Sequence, residues 1–254
     1  MDYVEPKIAQ DMPGMRLALT MGAPGPWSES AKGIFHLKGI DYVPVGQVGG
    51  APNEDLVAWT GIRNAPVAVY NDEQPVEKWM DILALAERIA PDPRLVPEDP
   101  TERALMFNLA TEICSERGFA WQRRLMMIHN TAVDGEPNEG FKIMADDYGY
   151  NADEGATAPE KAAQTLRLLA TQLHDQKARG SKFFIGDGLS ALDVYWACFC
   201  ALVRPLPDEQ CAMAGFLRQL YEPNNDVVEK AIDPILVEHR DMMYAEYLGL
   251  PMDF

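Results

Sequence analysis

Cysteine and histidine are the side chains of this 254-residue chain best suited to act as nucleophiles, metal ligands or proton carriers. The chain has four of each: Cys114, Cys198, Cys200 and Cys211, and His36, His129, His174 and His239. The cysteine spacing matches neither a zinc site nor a disulfide framework, and the histidines cluster with no other candidate ligand in the sequence. We therefore expect the cysteines to pack as small hydrophobic residues. We expect no metal site and assign no catalytic role to a histidine.

The segment Gly186–Asp193, with the sequence GDGLSALD, holds a second pair of spaced polar residues. Ser190 and Asp193 have the spacing of a capping box. In that arrangement the serine oxygen accepts from the N–H of residue 193, and the carboxylate accepts from the N–H of residue 190. The pair predicts that a helix begins just before the apolar run Val194–Val203.

The charge and the distribution of apolar residues argue against two classes of partner, nucleic acids and membranes. The formal net charge is −17 and the sequence pI is about 4.6, a field that repels phosphate backbones and argues against a nucleic-acid partner. No apolar run approaches the roughly 20 residues that span a bilayer. Residues 1–12 carry charges and no apolar centre, unlike a secretory signal. We therefore expect a cytoplasmic protein without a membrane segment.

Periodicity and turn residues predict an irregular arm over residues 1–14 and then the order β-α-β-α-β-β-α over residues 15–90. The order indicates a thioredoxin-like domain. The predicted strands are Met15–Thr20, Asp41–Val45, Val67–Tyr70 and a brief one at Pro75 and Val76; the predicted helices are a first one capped by Ser28 and closed by Gly39, then Asn53–Gly61 and Glu77–Ile89.

After residue 90 the pattern changes. Four prolines fall within Ala90–Pro100, which predicts an extended linker at residues 91–100. Residues 101–254 then read as an all-helical domain. Its predicted helices are Thr101–His129, one opened by Pro159, one capped by Ser190, and two near 208–221 and 226–247, with a long loop over 130–157.

Over roughly residues 15–248 these features resemble the cytosolic glutathione transferases, with the subclass open. Phe183–Asp193 (FFIGDGLSALD) is similar to the start of the buried helix in that family's second domain. Leu37–Tyr42 (LKGIDY) is similar to the entry into its second strand, and Asn64–Val67 (NAPV) to the segment before its third strand. The resemblance implies a thioredoxin-like α/β domain followed by an all-α helical bundle, with glutathione as co-substrate and a homodimer as the assembly.

The resemblance also implies where glutathione binds. Pro66 is expected to follow a cis peptide bond, with the N–H and C=O of Ala65 pairing with the cysteinyl part of the tripeptide. Asn64 lies beside them. Trp27 stands where bacterial Cys-type relatives have their cysteine, and Ser28 follows it. A hydroxyl at a helix N-terminus favours a thiolate, so we assign Ser28 that role, with Ser30 or no side chain as alternatives and a plain N-cap as another explanation of Ser28.

The family commonly holds the γ-glutamyl end of glutathione with a Glu-Ser or Gln-Ser pair at its third helix. Here the corresponding residues are Lys78 and Trp79 or, with a shift of one, Glu77 and Lys78. We predict that Glu77 and Lys78 contact the ligand, although lysine provides a point charge without the geometry of a hydroxyl.

The electrophile is expected between the two domains, next to the helix that begins at Thr101. The candidates are Met106, Phe107, Ala110 and Cys114. An apolar stripe with this spacing is also typical of a helix that packs in a core.

Together these expectations predict a glutathione transferase-type enzyme of detoxification that activates the glutathione thiol for attack on an apolar small molecule. Two alternatives remain: a non-catalytic ligand-binding protein with the same fold, and a glutathione-dependent lyase, isomerase or dehalogenase. Fold alone does not separate these chemistries.

Overall fold

The computed structural model describes residues 1–254, and the chain divides into two compact units. The first unit comprises Met1–Val96, Pro207–Met213 and Tyr244–Phe254, and the second comprises Pro97–Leu206 and Ala214–Met243. Two short segments beyond residue 100 thus belong to the first unit, whereas the sequence placed them in the all-helical domain.

The first unit is built on a three-stranded sheet of β1 (Met15–Thr20), β2 (Val43–Gln47) and β3 (Val67–Tyr70), in the order β2-β1-β3. Strand β2 is parallel to β1, and β3 is antiparallel to it. The predicted fourth strand is a single bridge between Ala68 and Val76. Strand β2 starts two residues later than predicted because Ile40 still closes the turn after the preceding helix by donating to Phe35 O.

Four helices surround this sheet: α1 (Pro6–Ala9), α2 (Pro26–Leu37), α3 (Glu54–Thr60) and α4 (Trp79–Ile89). The prediction of an irregular arm over residues 1–14 is wrong for α1. Ala9 is fully buried, and Val4 pairs with Val45 at the edge of β2. One cluster of buried apolar side chains joins α1 and α3 to the sheet: Ala9, Ala18, Val45, Leu56, Val67 and Val69.

The second unit is helical, and a π-helical turn at Tyr244–Leu248 follows its last helix. Its helices are α5 (Pro100–Cys114), α6 (Phe119–His129), α7 (Lys142–Tyr148), α8 (Ala152–Ala178), α9 (Ala191–Phe199), α10 (Gly215–Tyr221), α11 (Asp226–Ala231) and α12 (Pro234–Met243), with 3-10 turns at Glu139–Phe141 and Cys200–Leu202. None of the helices in the chain is both long enough and apolar enough to cross a membrane.

The predicted single helix Thr101–His129 is wrong, since the chain turns between Cys114 and Phe119. Arg117 has a φ of +66°, and a Cβ at Gly118 would lie 2.8 Å from the carbonyl oxygen of Glu112. Gly118 therefore permits a close reversal of the backbone that a side chain would block.

The predicted loop over 130–157 is also wrong in part, because α7 and the start of α8 fall inside it. Helix α8 begins at Ala152, where Asn151 accepts from the N–H of Glu154, and Pro159 lies inside the helix instead of opening it. The two last predicted helices are shorter than expected: helix 208–221 forms only from Gly215, and 226–247 is interrupted before Pro234.

The capping box at Ser190 and Asp193 is confirmed at the start of α9, all of whose residues are buried. Asp193 is fully buried, and its Oδ2 accepts from both N–H and Oγ–H of Ser190 at 2.8 Å. Its Oδ1 accepts from the N–H of Phe184 and lies 2.9 Å from His239 Nε2. The carboxylate thus joins the loop before α9, α9 itself and α12.

Candidate functional site

The carboxyl ends of β1 and β2 and the start of β3 meet at one end of the sheet in the first unit. The last paired residues of β1 and β3 are Ala18 and Val67. The pairing ends there, and the cis peptide bond between Ala65 and Pro66 comes directly before Val67. The segment before β3 therefore lies next to the end of β1, from which the chain turns into α2.

Ser28 lies in the first turn of α2 and is not its N-cap. The helix starts with Pro26 after Gly25, because proline fits the first helical position, so Ser28 is the third residue of the helix. Its side chain is buried, and its Oγ accepts from the N–H of Thr20 at 3.4 Å. With the oxygen accepting from Thr20, the hydroxyl hydrogen is the part of Ser28 that can donate to a ligand.

Ser30, the alternative to Ser28, points elsewhere. It is buried to the same 2% exposed fraction, and its Oγ donates to the carbonyl oxygen of Trp27 at 2.9 Å. That bond uses its hydrogen inside α2. Trp27 is half-buried at the second position of the helix. Ser28 thus accepts from a residue outside α2, whereas the hydrogen of Ser30 is used inside the helix.

The peptide bond between Ala65 and Pro66 is cis, as expected from the NAPV segment. Pro66 is buried, Ala65 is half-buried and Asn64 is exposed. Ala65 is thus partly accessible to solvent.

Glu77 and Lys78 are both exposed and precede α4, with Lys78 at its N-cap position. The helix starts later than the predicted Glu77 because the preceding residues still run alongside β3, where Val76 exchanges backbone hydrogen bonds with Ala68. Their contact with a ligand stays a prediction.

The predicted electrophile-pocket residues all lie on α5. Met106 and Ala110 are fully buried, Cys114 is 3% exposed, and only Phe107 is half-buried. Burial, together with nearby Cys198 on α9, raises the pKa of the Cys114 thiol well above its usual range. The three buried residues form a core stripe with a spacing of four, and their part in binding a small molecule stays a prediction.

All four cysteines are buried and free of disulfides, as the sequence indicated. Burial is also the main cause that raises the pKa of Cys200, to about 12. Both Cys114 and Cys200 are therefore held as neutral thiols. No group of three or more His, Cys, Asp and Glu side chains is arranged to hold a metal ion.

Two polar residues that sequence reasoning missed end the parallel strands β1 and β2. Thr20 Oγ1 donates to Gln47 Oε1 at 3.0 Å, and Gln47 is only 2% exposed. Thr20 offered a signal, because it closes the predicted strand Met15–Thr20 with a polar side chain, whereas Gln47 lies two residues beyond the predicted second strand. A buried glutamine at such a place must have hydrogen-bond partners.

Glu29, the residue after Ser28, is a buried carboxyl group in the first turn of α2. Its pKa is raised because burial disfavours the carboxylate, while Lys32 Nζ, 2.9 Å from Oε2, acts in the opposite direction. Burial raises the pKa of Tyr3 and of Tyr42 to about 12, with the charge of Glu29 as the next cause. Lys32 also donates to the carbonyl oxygen of Asp253, so the end of the chain covers this acidic side of α2.

The raised pKa of Glu29 makes the stability of the protein depend on pH. Since the folded-state pKa lies above the unfolded one, the contribution is fully present below the unfolded value near 4 and is lost as pH rises through the folded value. We expect the free energy of unfolding of the wild type to fall relative to that of Glu29→Gln as pH rises. Urea unfolding at a series of pH values measures this.

The matched control is Glu154→Gln in the second unit, since the hydrogen bond from Lys161 lowers the pKa of the Glu154 carboxyl. Its stability difference from the wild type should change with pH in the opposite direction, because a folded-state pKa below the unfolded one stabilises the wild type as pH rises. A pH-independent difference for Glu29→Gln would contradict the assignment.

A separate cavity of about 460 Å³ lies within the second unit. It is lined by residues that follow α9 and by the segment from Arg218 to Glu229, and none of the predicted site residues borders it. Arg204 in its wall is paired with Glu229.

Among known proteins, only solved structures match this chain. No protein-family profile and no curated protein matches the sequence. Among solved structures, a glutathione S-transferase from Methylobacillus flagellatus KT with GSH bound matches with a TM-score of 0.66 at 15% identity, over 92% of this chain and 96% of that one.

Two further structures agree. A glutathione transferase homologue from Sulfitobacter with bound glutathione matches with a TM-score of 0.61 at 19% identity, over 93% of this chain and 95% of that one. A Tau class glutathione S-transferase from mango matches with a TM-score of 0.55 at 18% identity, over 93% and 99%. The chain therefore has the glutathione transferase fold, as the sequence predicted.

Proposed function

We propose that this chain, which has the glutathione transferase fold, binds glutathione on its first unit and activates the thiol for attack on an apolar electrophile. The observation that carries the proposal is that the cis Ala65–Pro66 bond directly precedes β3, at the end of the sheet where Thr20, the last residue of β1, donates its N–H to Ser28. The backbone proposed to pair with the tripeptide and the hydroxyl in the first turn of α2 thus both border that end of the sheet. Bound glutathione in the similar structures supports the choice of ligand.

The chemistry follows from these groups. The N–H and C=O of Ala65 pair with the cysteinyl backbone of the tripeptide, as one strand pairs with another. The sulfur then lies at the N-terminus of α2, where the helix has a partial positive charge of about half a unit. Ser28 donates its hydrogen to the sulfur, and both effects lower the pKa of the thiol.

The thiolate is the nucleophile. Its sulfur forms a bond to the electrophilic carbon, and the leaving group departs with the electron pair of the bond that breaks. For an aryl halide the products are the thioether and a halide ion.

The remaining predicted residues complete the proposal. Trp27 and Asn64 flank the thiol and the cysteinyl backbone. Glu77 and Lys78 offer opposite charges to the ammonium and carboxylate of the γ-glutamyl end. The apolar face of α5 at Met106, Phe107, Ala110 and Cys114 is proposed to receive the electrophile. We further propose a cytoplasmic homodimer that serves detoxification.

Calorimetric titration with glutathione and conjugation to an activated aryl chloride test the proposal on the purified full-length chain. We expect saturable binding and a rate above that of free glutathione at the same pH. S-Methylglutathione is the matched control, since it keeps the backbone contacts and lacks the thiol. The absence of both binding and turnover at millimolar glutathione would contradict the proposal.

Two observations favour a second candidate, a binding protein without turnover. Ser28 is only 2% exposed, and Lys78 replaces a residue that carries a hydroxyl in the family pattern. Such a protein would bind glutathione and leave the thiol pKa unchanged. Binding with no rate on aryl, alkyl and unsaturated electrophiles would favour it. Turnover only of halides or of isomerisable substrates would instead indicate a dehalogenase, lyase or isomerase.

A further inference from the structure

We propose that Gln47 is a positioning residue that couples the Ser28 end of α2 to the Ala65 backbone, and thereby sets the affinity for glutathione. The inference rests on the proposed function. In that proposal Gln47 touches neither the sulfur nor the cysteinyl backbone of glutathione. We assign it control over the distance between the two groups that do, the Ser28 hydroxyl and the Ala65 backbone.

The side-chain amide of Gln47 is bonded at both ends. Oε1 accepts from Thr20 Oγ1 at 3.0 Å, and Nε2 donates to the carbonyl oxygens of Val48 at 3.0 Å and Arg63 at 3.3 Å. The backbone takes part as well, because Gln47 O accepts from the N–H of Met21 at 2.9 Å. One buried residue therefore connects the turn after β1 with the segment before β3.

The two ends of this connection are the two halves of the proposed site. On one side, Thr20 donates its N–H to Ser28 Oγ. On the other, Arg63 stands two residues before Ala65. The Arg63 carbonyl belongs to the peptide that joins Arg63 to Asn64, and the next peptide carries the Ala65 N–H. The amide of Gln47 therefore constrains the backbone one peptide before Ala65, and we infer that it orients the Ala65 N–H and C=O relative to Ser28.

The segment from Gly61 to Pro66 depends on such bonds because it belongs to no helix or strand. A second amide supports it: Asn53 Nδ2 also donates to Arg63 O at 3.3 Å. Asn53 adopts a φ of +49° in front of α3, a left-handed conformation that asparagine tolerates and glycine adopts freely. Gln47 and Asn53 thus hold one carbonyl from two directions.

The decisive variant is Gln47→Met, which keeps the length of the side chain and removes both polar ends. We expect the Kd for glutathione to rise about tenfold, the size of effect that follows the loss of one well-formed hydrogen bond. We also expect the pKa of the bound thiol, read from thiolate absorbance against pH, to move toward that of free glutathione. A merely structural role would lower the melting temperature and move neither quantity.

Gln176→Met is the matched control. Gln176 is a buried glutamine of the second unit, and its Nε2 donates to the carbonyl oxygens of Phe183 and Gly186. Its loss should lower the melting temperature by a similar amount and leave the Kd for glutathione unchanged.

A second variant, Asn53→Gly, keeps the left-handed backbone and removes the other amide on Arg63. It should also raise the Kd for glutathione. If Gln47→Met does not fold, this variant tests whether the hydrogen bonds to the Arg63 carbonyl set the affinity. If the wild type binds glutathione and the folded variants show the same Kd and the same pKa of the bound thiol, this inference is overturned and the proposed function is not. A wild type that does not bind glutathione overturns the proposed function and this inference with it.

Discussion

Replacing Asp193 with alanine is expected to lower the free energy of unfolding by about 3–5 kcal/mol, because it removes the acceptor of several buried hydrogen bonds. The carboxylate is fully buried and accepts from the N–H of Phe184 and from two groups of Ser190. Alanine would leave these donors without an acceptor at a place that water does not reach, and each such group costs about 1–3 kcal/mol.

His239 increases the expected loss because it brings α12 to the same carboxylate. Its Nε2 lies 2.9 Å from Asp193 Oδ1, and its ring packs edge-on against Phe184 with the centroids 4.7 Å apart. A helix cap acts within one helix and contributes only about 1 kcal/mol. Asp193 instead stabilises three segments at once.

Urea unfolding of Asp193→Ala, followed by circular dichroism, measures the effect. Asp187→Ala is the matched control, because Asp187 is an exposed carboxylate in the same GDGLSALD segment and should change stability by less than about 0.5 kcal/mol. A loss of only about 1 kcal/mol in Asp193→Ala would mean that Asp193 acts as an ordinary cap. The fraction of the variant that folds should still bind glutathione with the wild-type Kd, since Asp193 lies in the second unit.

The parts of the fold that the sequence predicted correctly have local causes. The capping box needs only the spacing of Ser190 and Asp193, and the β-α-β order needs only apolar runs divided by glycine and proline. The cis bond at Pro66 was inferred from a short segment whose resemblance to a known family includes its geometry. In each case the determining residues are close together in the sequence.

The errors have causes outside the local pattern. The break between α5 and α6 depends on the close approach of Gly118 to the carbonyl oxygen of Glu112, which helical periodicity does not report. Asn151 caps the early start of α8, whereas the prediction starts the helix at Pro159 because proline fits the first helical position. Proline at this position cannot donate to the carbonyl oxygen of Gly155, four residues earlier, yet the helix continues through it. Gly155 is packed against His129 and Tyr150, since a Cβ there would lie 2.6 Å from His129 Nδ1 and 2.8 Å from Tyr150 Cε2.

The sequence names Ser28, Ala65 and Pro66 as site residues because they fall in segments that resemble those of a known family. Of these expectations the structure confirms the cis bond before Pro66. Gln47 was missed because its partners, Thr20 and Arg63, are 27 and 16 residues away in the sequence. Strand pairing brings them together, and the register of β1 and β2 cannot be read from one sequence with that accuracy.

Replacing Ser28 with alanine is expected to lower kcat/KM for the aryl chloride about 100-fold, comparable to the loss of one donor from a preorganised anion site. The reason is electrostatic. In the proposed function, the thiolate bound to the variant still lies at the N-terminus of α2 but no longer receives a hydrogen bond from residue 28. The pKa of the bound thiol therefore rises, and less of it is ionised at neutral pH. The rate of the variant should therefore recover as pH rises, with its acid limb displaced to higher pH than in the wild type.

Ser30→Ala is the matched control for this experiment. Ser30 is buried to the same extent two residues later in α2, but its hydroxyl donates to Trp27 O within the helix. Both variants lose one buried hydroxyl, so their melting temperatures should fall by similar amounts, while only Ser28→Ala should displace the pH profile. Identical pH profiles would show that neither hydroxyl reaches the sulfur. The N-terminus of α2 would then be the remaining source of thiolate stabilisation, provided that the wild type turns over.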